Sequence, residues 1–376
     1  MSDALPSAHD YRPLTIVAVQ RLTTDSVCIA LAFPPHQAAA FAFRPGQHLN
    51  VRATLDGEEV RRSYSICSGP GEPHLRIAVK QITGGYFSVW ANAALTPGMS
   101  LDVMPPQGRF ALAPTDGSPR HVLGLAAGAG ITPIIAMAAH ALACEPATRF
   151  TLVYGNRTPD DIMFRQELED LKDLWLDRFT LVHVLSRAGS EEGALFEGRI
   201  TPQVLSRLAG PLVPFGEIAH AYLCGPGTMI KELRTTLFTL GLPRDRVHHE
   251  FFAAGGGAYR GGTTATPVSV PMPEASTGPS ASTTASSIEA ILDGTRHRFT
   301  AVPGETVIDA ALRAGLRVPF SCRGGMCCTC RAKILDGSAR MRINYSLEPW
   351  EIAENFTLTC QAIPQTERLV VDFDRM

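Results

Sequence analysis

The sequence has no excess of charge of either sign. Its 376 residues include 34 Lys and Arg against 36 Asp and Glu, a formal net charge of -2. A chain without a basic field lacks the electrostatic attraction on which nucleic-acid binding depends, so we expect no nucleic-acid partner. With 45% hydrophobic and 19% charged residues, the composition is typical of globular domains. A chain of this length is expected to form two or three of them.

The sequence also lacks clear targeting and membrane segments. Residues 1–13 contain Asp3, His9 and Asp10 and have no apolar centre of a secretory signal. Residues 122–139 form an uncharged run of membrane-spanning length. Gly, Ala and Pro133 interrupt this run, which favours a buried strand, a glycine loop and a helix. We therefore expect a cytoplasmic protein with no membrane partner, in which cysteines are metal ligands, catalytic groups or core residues rather than disulfides.

Composition and periodicity divide the chain into three folded parts. Residues 255–287 consist almost entirely of Gly, Ala, Ser, Thr and Pro, which predicts a flexible linker. Short alternating segments in residues 1–115 predict an antiparallel β-barrel or sandwich. Apolar strands alternate with helices over residues 116–254, which predicts a parallel α/β sheet. Residues 288–376 predict a hairpin at Asp293 and Gly294, a helix over 306–314 and a cysteine-rich loop.

The cysteine-rich loop predicts an iron-sulfur centre. Cys322, Cys327 and Cys330 have the spacing C-x4-C-x2-C, and Cys360 lies farther along the chain. This is the plant-type spacing for a 2Fe-2S cluster. Cys328 is the alternative to Cys327, although it would leave a single residue before Cys330. A zinc site is the alternative centre, but zinc favours two C-x2-C pairs and only one is present.

Two motifs in the first part suit a flavin. Arg62-Ser63-Tyr64-Ser65 supplies a guanidinium for a pyrophosphate, an aromatic face for a ring and a hydroxyl. Farther along, Gly84 and Gly85 precede a possible helix whose N-terminal amides could bind phosphate. Each motif alone is also typical of an ordinary barrel strand or turn.

Two glycine loops in the second part suit a dinucleotide. Residues 128–133, Gly-Ala-Gly-Ile-Thr-Pro, join a strand to a helix, with Pro133 expected at the first helical position. The segment Cys224-Gly225-Pro226-Gly227 follows a later strand. Loops at the carboxyl ends of neighbouring parallel strands form a ligand-binding crevice, although each loop alone is also typical of packing.

Together with Tyr154-Gly155-Asn156-Arg157 and Ser186-Arg187, these motifs resemble the ferredoxin-NADP reductase superfamily. With the cysteine loop, the layout resembles reductase components of multicomponent oxygenases. Residues 152–168 and 344–364 are similar to phenylacetyl-CoA epoxidase reductases, and ketosteroid hydroxylase reductases share the layout. The resemblance implies a multidomain fold: an antiparallel FAD-binding β-barrel, a parallel-sheet α/β NAD(P)-binding domain and a C-terminal β-grasp α+β ferredoxin.

The resemblance also implies roles for individual residues. Arg62 would hold the FAD pyrophosphate, and the catalytic residues would be Tyr64 on the flavin ring, Ser65 near its N5 and Cys224 beside the nicotinamide C4. Arg187, where an acidic residue would favour NADH, favours NADPH; a solvated strand end is the alternative. Phe252 either covers the flavin or belongs to a core strand. The other implied cofactor contacts are Ser63, Val79, Lys80, Gly85, Phe87, Ser88, Gly128, Gly130, Thr132, Pro133, Arg157, Ser186, Gly225 and Pro226.

The implied activity is electron transfer from NADPH through FAD and the cluster to a terminal oxygenase, with a di-iron phenylacetyl-CoA epoxidase as the expected partner. A reductase of a Rieske or steroid oxygenase and a redox-sensing or electron-storage protein are the alternatives. Glu348, Glu351 and Glu354 are expected to form a solvated helix face, with a docking face as the alternative.

Overall fold

The computed structural model describes residues 10–187, 197–210, 212–252 and 285–375. These residues divide into two compact units. The first two β-sheets, except Arg61–Ser63, belong to one unit, and the third β-sheet belongs to the other. Nearly all of the predicted linker, from residue 255 to residue 284, lies outside the described residues.

The first sheet is the predicted antiparallel barrel. Its six strands have the order β4-β3-β6-β1-β2-β5, and a bridge between Ile66 and Ile77 joins the end of β4 to β5, which closes the sheet. Alternate side chains such as Leu14, Ile16 and Ile29 point inward and are fully buried. The elements are β1 Arg12–Thr23, β2 Ser26–Ala32, β3 His48–Leu55, β4 Glu58–Ser65, β5 Leu75–Lys80, α1 Tyr86–Ala94 and β6 Ser100–Val103.

The second sheet is the predicted parallel sheet, with the strand order β11-β10-β7-β8-β9. The chain leaves β7 to β8 on one side and later returns to β10 on the other, so a crevice opens at the carboxyl ends of β7 and β10. The elements are β7 Arg120–Ala127, α2 Ile131–Cys144, β8 Thr148–Asn156, α3 Arg165–Leu174, β9 Phe179–Leu185, α4 Pro202–Leu208, β10 Ile218–Gly225, α5 Gly227–Thr239 and β11 Val247–Phe251.

The uncharged run over residues 122–139 comprises most of β7, a glycine loop and the first part of α2. Among the described residues, none of the helices combines the length and apolar character needed to cross a bilayer. One detail of the prediction is wrong: α2 begins at Ile131, with Gly130 as its N-cap, so Pro133 occupies the third helical position. Proline is tolerated there because the N–H groups of the first helical turn have no partner within the helix.

The third sheet has the order β13-β12-β18-β14-β16 and is accompanied by a two-stranded β15-β17 ribbon. Its first and last strands in the chain, β12 and β18, pair in parallel, as in a β-grasp fold. Asp293 and Gly294 have positive φ angles in the predicted hairpin turn. The elements are β12 Ser286–Leu292, β13 Thr295–Ala301, α6 Val307–Arg313, β14 Arg331–Asp336, β15 Ala339–Met341, α7 Pro349–Ala353, β16 Phe356–Leu358, β17 Ala362–Pro364 and β18 Arg368–Asp372.

The expected solvated face of glutamates is wrong at Glu351, in α7. This side chain has no exposed surface, and Arg331 Nε donates a hydrogen bond to it over 2.8 Å. The Glu351 carboxylate also accepts a hydrogen bond from the N–H of Glu348 over 3.0 Å, so it caps the helix. The spacing of the three glutamates in the sequence does not show whether Glu351 caps the helix or lies on the surface.

Candidate flavin, nicotinamide and cluster sites

The predicted flavin motif lies at the end of β4. Arg62 and Tyr64 are half-buried and lie on one side of the strand, because side chains alternate along it. The ring of Tyr64 lies 5.6 Å from the ring of Phe87, measured between centroids. Ser65, the last residue of β4, is buried. The strand therefore presents a guanidinium and an aromatic ring on the same face.

The start of α1 suits a phosphate group. Gly85 is the N-cap of this helix, without a side-chain cap on the first N–H groups. A side chain at Gly85 would place a Cβ 2.5 Å from Ser88 Oγ, so the close turn requires glycine. A cavity of about 490 Å³ adjoins it, lined by Thr54, Leu55, Asp56, Gly84, Gly85, Tyr86, Val89 and Trp90. Helix N–H groups beside such a cavity fit the pyrophosphate of FAD.

Three of the predicted flavin contacts have buried side chains. Val79 and Phe87 belong to the apolar core of the barrel. Ser88 Oγ accepts a hydrogen bond from the N–H of Ile82 and donates one to the carbonyl of Gly85. These side chains belong to the barrel wall, and their role as cofactor contacts stays a prediction.

The glycine loop after β7 packs against the end of β10. A Cβ at Gly130 would lie 2.2 Å from the carbonyl oxygen of Cys224, so only glycine lets α2 begin this close to the strand. Tyr154 donates a hydrogen bond to the carbonyl of Gly128 over 3.0 Å. Thr132 is buried and donates to the carbonyl of Ala129. The two predicted glycine loops are therefore in direct contact.

Cys224 is fully buried in this crevice and lies in register between Ala126 of β7 and Glu250 of β11. Burial raises the pKa of the Cys224 thiol well above its ordinary value, and the nearby Glu250 charge raises it further. The thiol therefore stays neutral at neutral pH, which is unsuited to a nucleophile.

Glu250 is a site residue that sequence reasoning missed. Ser65 Oγ donates a hydrogen bond to Glu250 Oε2 over 3.4 Å, so the carboxylate joins the flavin motif to the strand pair that carries Cys224. The only signal in the sequence is an acidic residue directly before the aromatic pair Phe251 and Phe252. Phe252 itself is partly buried against the core that includes Cys224, and its N–H donates to the carbonyl of Gly225.

Two arginines lie together where β8 and β9 end. The N–H of Arg187 donates to the carbonyl of Arg157 over 2.8 Å, and the N–H of Ser186 donates to that of Asn156 over 3.0 Å. The Arg187 side chain is exposed. The Arg157 guanidinium pairs with Asp161. Arg157 is therefore less available to a bound anion than the exposed Arg187.

Lys80 also has an ion-pair partner. Its Nζ lies 2.6 Å from Asp25 Oδ1, and Asp25 Oδ2 lies 3.4 Å from Arg157. Asp25 therefore links two predicted cofactor contacts, one from the barrel and one from the parallel sheet.

The predicted cluster ligands come together in the third sheet's unit. The pKa of Cys322 is raised chiefly by the adjoining Cys327 thiol, and that of Cys330 chiefly by the adjoining Cys360 thiol. The N–H groups of Gly324 and Cys327 donate to Cys322 Sγ over 3.3 and 3.4 Å. Within the described ranges, no three His, Cys, Asp or Glu side chains surround a single ion. Two pairs of thiols fit two irons, each held by two cysteines.

Cys328 has a different environment from the four predicted ligands. Its φ angle is +56°, and its thiol donates a hydrogen bond to Ser346 Oγ over 3.0 Å. Ser346 Oγ in turn donates to the carbonyl of Gly325. This geometry supports Cys327, rather than Cys328, as the ligand.

Three family models match successive parts of the chain. Residues 13–112 match an oxidoreductase FAD-binding domain. Residues 125–235 match an oxidoreductase NAD-binding domain. Residues 290–365 match a 2Fe-2S iron-sulfur cluster binding domain.

Relatives with these domains match nearly the whole chain. The sequence is 41% identical over 367 residues to one component of the 1,2-phenylacetyl-CoA epoxidase of Escherichia coli (strain K12), covering 97% of this chain and 98% of that protein. It is 33% identical to the ferredoxin reductase component of 3-ketosteroid-9-alpha-monooxygenase from Rhodococcus rhodochrous, covering 96% of each. The solved structure of phthalate dioxygenase reductase is 25% identical in sequence with a TM-score of 0.56, covering 96% of this chain and 98% of that one.

Proposed function

Because the chain belongs to the family of oxygenase reductases that combine FAD-binding, NAD-binding and 2Fe-2S domains, we propose that it carries electrons from NADPH to a terminal oxygenase of the phenylacetyl-CoA epoxidase type. The observation that carries this proposal is the juxtaposition of Ser65, Glu250 and Cys224 in one unit, together with four clustered cysteines in the other. The substrate class rests on the 41% identical relative.

Together, FAD and an iron-sulfur cluster can connect a two-electron donor to a one-electron acceptor. FAD, when bound, accepts two electrons as a hydride and passes them on singly, whereas an iron-sulfur cluster accepts one at a time. In this chain, Arg62 and the N-terminus of α1 would hold the FAD pyrophosphate. Cys224, as a neutral thiol, would shape the nicotinamide pocket, and Cys322, Cys327, Cys330 and Cys360 would bind the cluster.

We infer that NADPH is the preferred coenzyme. The exposed Arg187 lies beside Arg157 at the carboxyl ends of neighbouring strands, where a guanidinium suits a 2′-phosphate.

We also infer a cytoplasmic location, which the nine free cysteines support. We also propose domains of residues 1–115, 116–254 and 288–376. The strand ends at Val103 and Phe251 support the first two, and β12 begins at Ser286.

A second candidate partner is a Rieske-type or steroid oxygenase. It is favoured by the 33% identity to the ketosteroid monooxygenase reductase component, which covers the chain as fully as the epoxidase component does. The domain arrangement suits either acceptor, so the partner has to be identified by assay.

Reconstitution tests the proposed partner. The purified reductase is mixed with NADPH and either a di-iron phenylacetyl-CoA oxygenase or a Rieske ketosteroid oxygenase, and the oxygenated product is quantified. We expect NADPH-dependent product with the di-iron enzyme. Product only with the Rieske enzyme would establish the second candidate, and NADPH oxidation without product from either would contradict both.

A further inference from the structure

We propose that the outward side of α7 is the surface on which the terminal oxygenase docks to receive electrons from the cluster. This inference rests on the proposed function and deepens it, because it names the surface that meets the partner. It gives a role to exposed apolar residues that lie outside all of the cofactor motifs.

The polarity of α7 is the reverse of that of an ordinary surface helix. Its charged residue, Glu351, has no exposed side-chain surface. The other four residues are apolar and exposed: Pro349, Trp350, Ile352 and Ala353. A surface helix of a globular domain normally turns its apolar side to the core and its polar side to water. The stability of the domain therefore does not explain why the apolar residues of α7 face solvent.

The exposed residues form one continuous patch. Residues three and four apart lie next to each other on a helix, so Pro349 and Trp350 lie beside Ile352 and Ala353. Trp350 is 55% exposed and Ile352 is 46% exposed. Exposed apolar patches mark interaction sites, and tryptophan is a frequent anchor of protein interfaces because it buries a large area. The patch therefore fits a protein partner.

A buried ion pair fixes α7 to the cluster loop. Arg331 Nε lies 2.8 Å from Glu351 Oε1, and the two side chains are 9% and 0% exposed. Arg331 directly follows the predicted cluster ligand Cys330, and its N–H donates to the carbonyl of Cys328 over 3.0 Å. Because a buried charge is costly unless it stays paired, the pair holds the helix in one position beside Cys330.

The segment that precedes α7 is also bonded to the cluster loop. The N–H of Tyr345 donates to the carbonyl of Gly325 over 3.1 Å, and Ser346 Oγ donates to the same carbonyl over 3.2 Å. Gly325 lies between the predicted ligands Cys322 and Cys327. Both ends of the loop are therefore tied to α7 or to the residues before it, so a protein that covers α7 lies beside the cluster.

The position of the patch identifies its occupant. Electron transfer between two proteins requires that their redox centres lie close together. A surface held to the cluster loop therefore suits the protein that accepts the electrons, which is the terminal oxygenase. Glu348 and Glu354 stand at the two ends of α7, and Lys333 Nζ lies 3.8 Å from Glu354. We expect an apolar recess with a mainly basic rim on the oxygenase.

Truncation of the exposed side chains tests the proposal. The variants Trp350→Ala and Ile352→Ala are made in the full-length holoprotein. Val302→Ala is the matched control, because Val302 is a 53% exposed apolar residue of the same unit. The partner is whichever of the di-iron and Rieske oxygenases the wild type reduces.

Three measurements are made on each protein. Biolayer interferometry gives the Kd of the reductase for the immobilised oxygenase. NADPH-dependent product formation gives kcat and the KM for the oxygenase. The loss of cluster absorbance after anaerobic mixing with NADPH gives the rate at which the chain reduces its own cluster.

We expect Trp350→Ala to raise the Kd and KM for the oxygenase by about tenfold or more, the usual cost of truncating an aromatic anchor. Ile352→Ala should raise them less, and Val302→Ala should match the wild type. Cluster reduction by NADPH should keep its wild-type rate in every variant. An unchanged Kd in Trp350→Ala would overturn the proposal. Slower cluster reduction with an unchanged Kd would overturn it by assigning the patch to the chain's own flavin unit.

The wild type separates this inference from the proposed function. If the wild type yields product with an oxygenase and the variants show the same Kd and KM, the docking surface is wrong and the proposed function stands. If the wild type transfers electrons to neither oxygenase, the proposed function is wrong and the docking surface fails with it.

Discussion

Arg187 is the residue on which the choice of coenzyme depends. It lies exposed beside Arg157 at the end of β9. We expect Arg187→Ala to weaken NADPH binding by about tenfold to a hundredfold, because a hydrogen bond to a charged group contributes about 1.5–3 kcal/mol. NADH, which lacks the 2′-phosphate, should bind as before. Dissociation constants for both coenzymes measure this, with the exposed Arg207→Ala as a control. Equal weakening of both coenzymes would reject the role in phosphate binding.

Cys328 tests the ligand set of the cluster. Its thiol is directed to Ser346, so Cys328→Ser should keep that hydrogen bond and retain the visible absorbance of the 2Fe-2S cluster. Cys327→Ser should reduce or abolish it. Iron content and absorbance of the two purified variants give the answer. Loss of the cluster in Cys328→Ser with retention in Cys327→Ser would reverse the assignment.

Among the individual site residues, those that lie in short local motifs could be predicted from the sequence. Ser65 and Cys224 belong to short segments whose chemistry is visible without a fold. Glu250 lies far from both in the chain, and the register of β11 on β10 and the hydrogen bond from Ser65 place it in the site. Val79 and Phe87, also predicted cofactor contacts, have side chains in the barrel core, because local sequence does not say which side of a barrel wall a residue faces.

The β10-β11 pair carries two half-buried histidines, His220 and His248. His220 Nδ1 lies 3.1 Å from His248 Nε2, and the His248 ring stacks on Tyr222 at 4.8 Å. Burial lowers the pKa of His248 from its ordinary 6.5 to about 4, and burial also lowers that of His220. These rings are therefore neutral in the folded protein at neutral pH.

This arrangement predicts a loss of stability in acid. The unfolded chain binds a proton at His248 from about pH 6.5 downward, whereas the folded chain resists protonation of this ring until about pH 4. The free energy of unfolding should therefore fall as the pH falls through that window. Urea unfolding at pH 7.5 and pH 5, followed by far-UV circular dichroism, measures the difference.

A matched variant isolates one histidine. His248→Phe keeps a ring to stack on Tyr222 but removes the titrating group, so acidification should cost this variant less stability than the wild type. If both proteins lose the same free energy of unfolding between pH 7.5 and pH 5, His248 does not contribute. The exposed His36→Asn variant should behave like the wild type.

At the scale of the elements, most of the fold could be predicted. The short alternating segments of residues 1–115 predict barrel strands, and the alternation of apolar strands with helices in residues 116–254 predicts β/α units. Short apolar runs predict β7, β8 and β10. The start of α2 could not be predicted. The helix begins before Pro133 because Gly130 packs against Cys224, and this contact joins segments that are distant in the sequence. Glu351 was misplaced because its partner, Arg331, lies on another element.

The whole molecule combines two redox units with separate tasks. The barrel and the parallel sheet form one unit, and the 2Fe-2S domain forms the other. Composition predicted this division because a tract of small and polar residues separates two regions with their own apolar cores. The proposed function therefore requires that the first unit oxidise NADPH without the cluster, and that electrons reach an oxygenase only through the cluster.

Replacement of Cys360 by Ser tests this requirement most directly. Cys360 is predicted to bind the cluster, and the exposed Cys144→Ser serves as the control. In one preparation, cluster absorbance, NADPH–ferricyanide reduction and NADPH-dependent oxygenase turnover are measured. We predict that Cys360→Ser loses the cluster absorbance and oxygenase turnover but reduces ferricyanide at about the wild-type rate. Loss of ferricyanide reduction together with the cluster, or oxygenase turnover that persists without it, would contradict the account.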